Sequence, residues 1–225
     1  MEALAKKILD HLEGRYKLEP LPIDDDLKEI KLPLGYMKMN LYNWSMEKVR
    51  KVNVMRSRIK IPSLEVYAIE IYPEDDYDVP LLAVDFSKMK KKTFVYLNFI
   101  PLFQDADYHE KYIARLGPIW DKYAIVPEAK AKDWMDPYLH RYSIYAMPKN
   151  ALLPDCYDCA YDYFSLYLDM LDEAEKIQDA DYRKKVRAAS LNYCDQLSEK
   201  DGSRKMLGRF IGMNRSNRIF REVIR

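Results

Sequence analysis

The hydrophobic period of this chain changes along its length. The N-terminal stretch "MEALAKKILDHLEGRYK" has the three-and-four spacing of an amphipathic helix, expected roughly from Glu2 to Leu12. A Pro-containing connection follows through "LEPLPIDDD", and the period then drops to two. "GYMKMNLYNW", "KVNVMRSRIKI", "SLEVYAIEIYP", "LLAVDFSKM" and "KTFVYLNFIPL" alternate and are rich in β-branched and aromatic residues, which predicts five strands. Short connections make neighbouring strands antiparallel, with "MKKK" as the hairpin turn between the fourth and fifth. A helix is expected around Asp107 to Leu116, followed by a loop rich in Pro, Trp and Lys. "RYSIYAMP" reads as a sixth strand closed by Pro148. Everything beyond Pro154 reads as helical. The first of these helices opens on Pro and Asp, as helix N-termini do. It carries Asp155, Asp158, Asp162, Asp169 and Asp172 on one face, and Tyr161, Phe164, Leu168 and Leu171 on the other. The expected fold is α+β, one domain over 1–225 with helices on the faces of an antiparallel sheet.

Composition adds limits. At 225 residues, 48% hydrophobic and 32% charged, the chain can bury a real core and is not of the disordered class. A net charge of +1 argues against a general nucleic-acid binder. The sum hides an asymmetry: Ala151–Ala180 holds eight acids and one base, and Asp201–Arg225 seven bases and two acids. Three cysteines, Cys156, Cys159 and Cys194, cannot all pair within one chain, which points to a reducing compartment. No apolar run has the length of a membrane span, and the N-terminus lacks the form of a signal peptide, so the expected location is cytoplasmic. The 19 tyrosines and 11 methionines suit either a core or a pocket for a flat, partly polar ligand.

Most chemical motifs are missing. Cys156-x-x-Cys159 has no second pair and no nearby His, and on a helix it more often packs than binds. His11, His109 and His140 are scattered, so no metal is expected. Six glycines form no phosphate-binding loop, and no Ser or Cys nucleophile signature is present. Two acids remain. Asp85 interrupts the apolar strand "PLLAVDFS", where an ionised carboxylate is expensive unless paired or protonated. It is either a paired structural acid or an acid kept for proton transfer. Asp201, in "SEKDGSRKML", fits a helix N-cap as well as a functional role.

"IYPEDDYDVPLLAVDFS", "RYSIYAMPKN", "DCYDCAYDYFSLYLDML" and "KDGSRKMLGRFIG", in this order, resemble the ferredoxin-dependent bilin reductases. The shared features are an aromatic-Pro followed by a Pro-Leu-x-x-x-Asp strand, spaced as from Pro73 to Asp85, and a late Asp-x-x-Arg at Asp201 and Arg204 with a Phe–Gly stretch at Phe210–Gly212. The likeness runs from about Val52 onward. It implies a three-layer α/β/α sandwich with a central antiparallel sheet and a pocket between the sheet and the C-terminal helices. It implies reduction of biliverdin IXα or a dihydrobiliverdin to a phytobilin through substrate radicals. The electrons would come from an acidic [2Fe-2S] ferredoxin, with no tightly bound cofactor. In that setting Asp85 matches the family's proton-donating Asp, and Asp201 a second acid near the tetrapyrrole. A carboxyl kept protonated in an apolar site can supply the proton that each electron requires.

The chain also departs from the family pattern. Ala68 stands where phycocyanobilin-type members have His, which implies a different product. Asn98 stands where Asp is common. Met147 stands where an Arg can bind a propionate, and Lys200 and Arg204 are the expected substitutes for that anchor. Lys88, Lys90, Lys91 and Lys92, extended by Lys205 and Arg209, are the expected ferredoxin-docking cations. The resemblance further implies a monomer that binds neither nucleic acid nor membrane, in the cytoplasm or, after processing, the plastid stroma. A non-catalytic bilin carrier and a reductase of a related open-chain tetrapyrrole are the alternatives. Retention of both Asp85 and Asp201 favours an enzyme.

Overall fold

The computed structural model describes residues 1–123 and 129–224; residues 124–128, inside the Pro- and Trp-containing loop, and residue 225 lie outside the described residues. Helix α1 (Glu2–Arg15) buries Leu4, Ala5, Ile8 and Leu12, as its spacing requires. It is followed by β1 (Glu19–Pro20), the single turn α2 (Asp25–Lys28) and β2 (Glu29–Lys31). The long strands are β3 (Met37–Met46), β4 (Val49–Ile59), β5 (Leu64–Pro73), β6 (Leu81–Met89) and β7 (Thr93–Ile100). Next come α3 (Ala106–Tyr108), tighter and wider turns to Leu116, α4 (Gly117–Tyr123) and the short β8 (Ile144–Ala146). Four helices close the chain: α5 (Leu153–Glu173), α6 (Ala180–Lys200), α7 (Gly202–Ile211) and α8 (Met213–Arg218), with a π-type turn at Ile219–Ile224.

The five expected long strands, β3 to β7, form the middle of a sheet in order β1-β3-β4-β5-β6-β7-β8, with β2 also paired to β3, and all pairs are antiparallel. β1 and β2 were not expected from the sequence. They are two and three residues long and sit in the Pro-rich connection, too short to show a period. The helix expected at Asp107–Leu116 is α-helical only over its first turn and then opens into π and 3-10 geometry. The sixth strand shrinks to three residues against β7, and α4 occupies part of the expected loop.

Alternation sorts each strand between two cores. On β6, Leu82, Val84 and Phe86 join the face covered by α1 and α5, while Leu81, Ala83 and Asp85 point to the other face. On α5 the buried residues are chiefly Cys156, Cys159, Tyr163, Phe164, Tyr167 and Leu168, so Tyr163 and Tyr167 serve the core, while Tyr161, expected on the buried face, is only half-buried because helical rotation sets it at the edge. The second face is roofed by α6, α7 and the C-terminal turn. The result is a three-layer α/β/α sandwich with a central antiparallel sheet.

The roof is tied to the sheet by buried polar groups. The Lys51 ammonium donates to the carbonyls of Val223 (3.1 Å) and Ile224 (2.6 Å). Asn43 donates to the Val223 carbonyl at 3.1 Å and accepts from Asn53 at 2.7 Å. Gly212, at φ 85°, lets the chain turn sharply from α7 into α8 in a region L side chains avoid.

Candidate active site

Between the second face and its roof lies a cavity of about 100 Å³. Its floor is made by residues that share one face across four strands, β3 to β6. The register sets Met55 beside Ala68 and Ala68 beside Asp85, with Asn53 and Glu70 one row away. Its roof is Leu197 of α6, Asp201, Ser203, Met206 and Phe210 around α7, and Phe220 and Ile224 of the final turn. Asp85 therefore interrupts the apolar run because odd-numbered positions of β6 face this cavity and even-numbered ones face the closed core.

Among the described residues no cation pairs with Asp85. The Ser87 hydroxyl donates to its Oδ1 at 3.2 Å. Burial pushes the carboxyl up to about 7; the charges of Asp201 and Glu70 push the same way, and the Ser87 hydrogen bond opposes them. Asp201 faces it from the roof. Its carboxylate caps α7 by accepting from the Ser203 N–H at 2.7 Å, so the capping reading holds locally. It also lines the cavity, and burial raises its pKa against the pull of Ser203.

A third cavity acid, Glu70, escaped the sequence reading. Burial pushes it up to about 7, against the Tyr72 hydrogen bond and the Lys51 charge, with Asp201 adding to the rise. In "VYAIEIYP" it reads as an ordinary solvent-facing residue of a half-exposed strand. Its even spacing from Ala68, once the β5–β6 hairpin is drawn in register with Asp85, was the signal that could have found it.

The other expected site residues are spread more widely. Ala68 lines the cavity and is nearly buried. Asn98 is fully buried below the surface of the same face: it donates to the Tyr138 carbonyl and the Tyr96 hydroxyl and accepts from Ser143. Met147, just past β8, does not line the cavity. Lys200 lines a separate groove with Trp134 and Tyr138. Arg204 turns away to Asn217 (2.8 Å) and the Glu199 carbonyl (3.1 Å). Helical rotation separates Lys200 and Arg204 from their neighbour Asp201.

A second groove, of about 780 Å³, lies beside α1 on the opposite face of the sheet and carries Lys38, Arg56, Arg58 and Lys88; at the sheet end it shares Ser57 and Val66 with the cavity. Arg56 lies over the Tyr67 ring, and Arg58 is paired with Glu65 at 2.5 Å. Lys90, Lys91 and Lys92 are exposed in the β6–β7 turn at this same end of the sheet, while Lys205 and Arg209 are exposed on α7. The Tyr36–Phe210 ring contact (6.2 Å) brings the end of α7 towards that edge. All three cysteines are buried and free, and burial pushes the Cys156 thiol up to about 11. Among the described residues no group of three or more His, Cys, Asp or Glu is placed to hold a metal ion, and no helix is long and apolar enough to cross a membrane.

With this geometry in hand, comparison with known proteins is specific. The family model described as ferredoxin-dependent bilin reductase matches residues 5–224. A 15,16-dihydrobiliverdin:ferredoxin oxidoreductase of Nostoc punctiforme is 28% identical over 166 residues, covering 72% of this chain and 68% of the relative. A phycoerythrobilin:ferredoxin oxidoreductase of the same organism is 24% identical over 213 residues, covering 90% and 83%. The fold matches a crystal structure of tomato phytochromobilin synthase in complex with biliverdin, with a TM-score of 0.89 at 19% identity, over 97% of this chain and 80% of that one. The chain belongs to the ferredoxin-dependent bilin reductase family and is an oxidoreductase of that kind.

Proposed function

We propose that the protein reduces biliverdin IXα, or a dihydrobiliverdin, to a phytobilin, with electrons from a [2Fe-2S] ferredoxin and protons from Asp85 and Asp201. The observation that carries this reading is a largely apolar cavity with a carboxyl on its floor and another on its roof, both held towards the protonated form. An electron added to a conjugated tetrapyrrole raises the basicity of its carbons. A neutral carboxyl a few ångströms away can then give up its O–H proton to form a C–H bond, while a water-excluding roof prevents competing protonation. Like charges across the cavity keep the acids from ionising together, so protons remain available near neutral pH.

The cavity, at about 100 Å³, is below the roughly 300–1,000 Å³ typical of ligand sites, so the reading requires the roof to open for a bilin. Its outer side chain Met206 is already 41% exposed. The lysines of the β6–β7 turn suit an acidic donor. Ala68 can neither donate a proton nor a hydrogen bond, so the product is expected to differ from phycocyanobilin.

The test is an absorption titration with biliverdin, followed by addition of ferredoxin and a reducing system, with the product separated against bilin standards. One-to-one binding and conversion to a product other than phycocyanobilin are expected. Binding without conversion would make the protein a bilin carrier. No spectral change, with reduction only of another open-chain tetrapyrrole, would move the substrate.

A further inference from the structure

We propose that Glu70 is a third proton donor of the cavity, serving a carbon of the reduced tetrapyrrole different from the one served by Asp85. The proposal rests on the bilin-reductase reading above. Glu70 stands on β5 two residues beyond Ala68, on the same face, and opposite Ala83 of β6 and Asn53 of β4. It lines the same cavity as Asp85 and Asp201. Asp85 is paired with Ala68, so Glu70 is its diagonal neighbour one pleat away, about 7 Å along the sheet. That offset exceeds the reach of one proton transfer and compares with the step from one ring or bridge of a linear tetrapyrrole to the next. A flat substrate lying along the floor would meet the two carboxyls at different carbons.

The local hydrogen bonding leaves one oxygen of Glu70 for this work. The Tyr72 hydroxyl donates to Oε2 at 2.5 Å. Among the described residues Oε1 has no hydrogen-bond partner and no ion pair reaches the carboxyl. Several groups face it from the packed elements: Lys51 on β4, Asp85 on β6, Tyr96 on β7, Tyr193 and Cys194 on α6, and Asp201 on the roof. Of these, the Lys51 charge lowers its pKa and the Asp201 charge raises it, while burial dominates and brings it to about 7. In the step, reduced ferredoxin supplies one electron, the Glu70 O–H bond breaks, and a C–H bond forms on the substrate. The carboxylate then takes its proton back from solvent.

The experiment compares the full-length parent with Glu70→Gln, Asp85→Asn and Asp201→Asn in anaerobic turnover with biliverdin and reduced ferredoxin. Rate, product and pH profile are read together, with bilin affinity taken from an absorption titration. For Glu70→Gln, affinity should stay within about threefold of the parent. Its turnover should fall on the order of 100- to 10,000-fold, or stop at a partly reduced bilin different from the one that accumulates with Asp85→Asn. The fall in rate as pH rises through about 7 should change shape. Tyr72→Phe provides a second, independent reading if the Gln variant is unstable. It removes a donor that favours the carboxylate, so the alkaline limb should move to higher pH. A Glu70→Gln enzyme with parental rate, product and pH profile would overturn the proposal alone, as would an unmoved limb in Tyr72→Phe. A parent that never reduces biliverdin would overturn the functional reading and this proposal with it.

Discussion

Replacing Asp85 by Asn should make the protein more stable and less active, with the stability gain growing as pH rises. The carboxyl titrates near 3.8 in an unfolded chain and at about 7 in the fold. Below 3.8 both states hold the proton and burial is nearly neutral. Between the two values the unfolded chain has released its proton and the folded one has not, so stability falls with rising pH. Above about 7 the folded protein carries a buried carboxylate and the loss is complete. At about 1.4 kcal/mol per pH decade the full effect is about 4 kcal/mol, and at pH 5 about 1.5 kcal/mol. Asn is nearly isosteric and can still accept from Ser87 through its amide oxygen. It avoids the charge penalty and cannot donate a carboxylic proton. Urea unfolding at pH 5 and pH 8.5 should therefore show a gain of about 1–2 kcal/mol at the lower pH and about 3–4 kcal/mol at the higher, with an unchanged slope. Turnover should drop roughly 100- to 10,000-fold. A gain that does not depend on pH, or a variant less stable than the parent at pH 8.5, would refute the assignment of a strained, proton-holding acid.

Asp201→Asn should keep the α7 cap, because Asn caps as well as Asp, so any slowing or halt at an intermediate reports on its proton; unchanged rate and product would remove it from the chemistry. Reversing Lys90 and Lys92 to Glu should raise the ferredoxin concentration for half-maximal rate on the order of tenfold at low ionic strength, with the difference vanishing near 1 M salt and bilin titration unaffected. Insensitivity to both changes would put the donor elsewhere. Lys51→Met should strip the Val223 and Ile224 carbonyls of a buried donor and cost about 1–3 kcal/mol, read as a melting temperature lower by roughly 3–10 °C.

Much of this architecture can be read in the sequence because the strands alternate so regularly. "LLAVDFSKM" places Leu82, Val84 and Phe86 on one face and Asp85 on the other, and both faces turn out to be covered. What a single strand does not reveal is whether its polar face meets water or a cavity. Asp85 interrupts an apolar run and stands out for it, whereas Glu70, between Ile69 and Ile71, has the alternation of a half-exposed strand and carries no such signal. The cations fared differently for a geometric reason. Lys200 and Arg204 are close to Asp201 in sequence, but the break between α6 and α7 points only Asp201 inward. The basic groove beside α1, on the opposite face, is assembled from β3, β4 and β6, residues distant in sequence that antiparallel pairing gathers at one end of the sheet. Registers of this kind depend on which hairpins form, and the pattern of any one segment does not carry them.

The most direct test of the account is a single-turnover reaction under anaerobic conditions, with biliverdin bound one-to-one to the protein and a stoichiometric supply of reduced ferredoxin. It is run for the parent and for Asp85→Asn, following absorption and the electron spin resonance of the bilin. The account predicts that the parent passes through a substrate radical to a reduced, protonated bilin. In Asp85→Asn the radical forms with similar speed but persists, because the electron has arrived and the proton has not. Equal decay of the radical to the same product in both proteins would contradict the claim that the buried carboxyl of Asp85 delivers the proton.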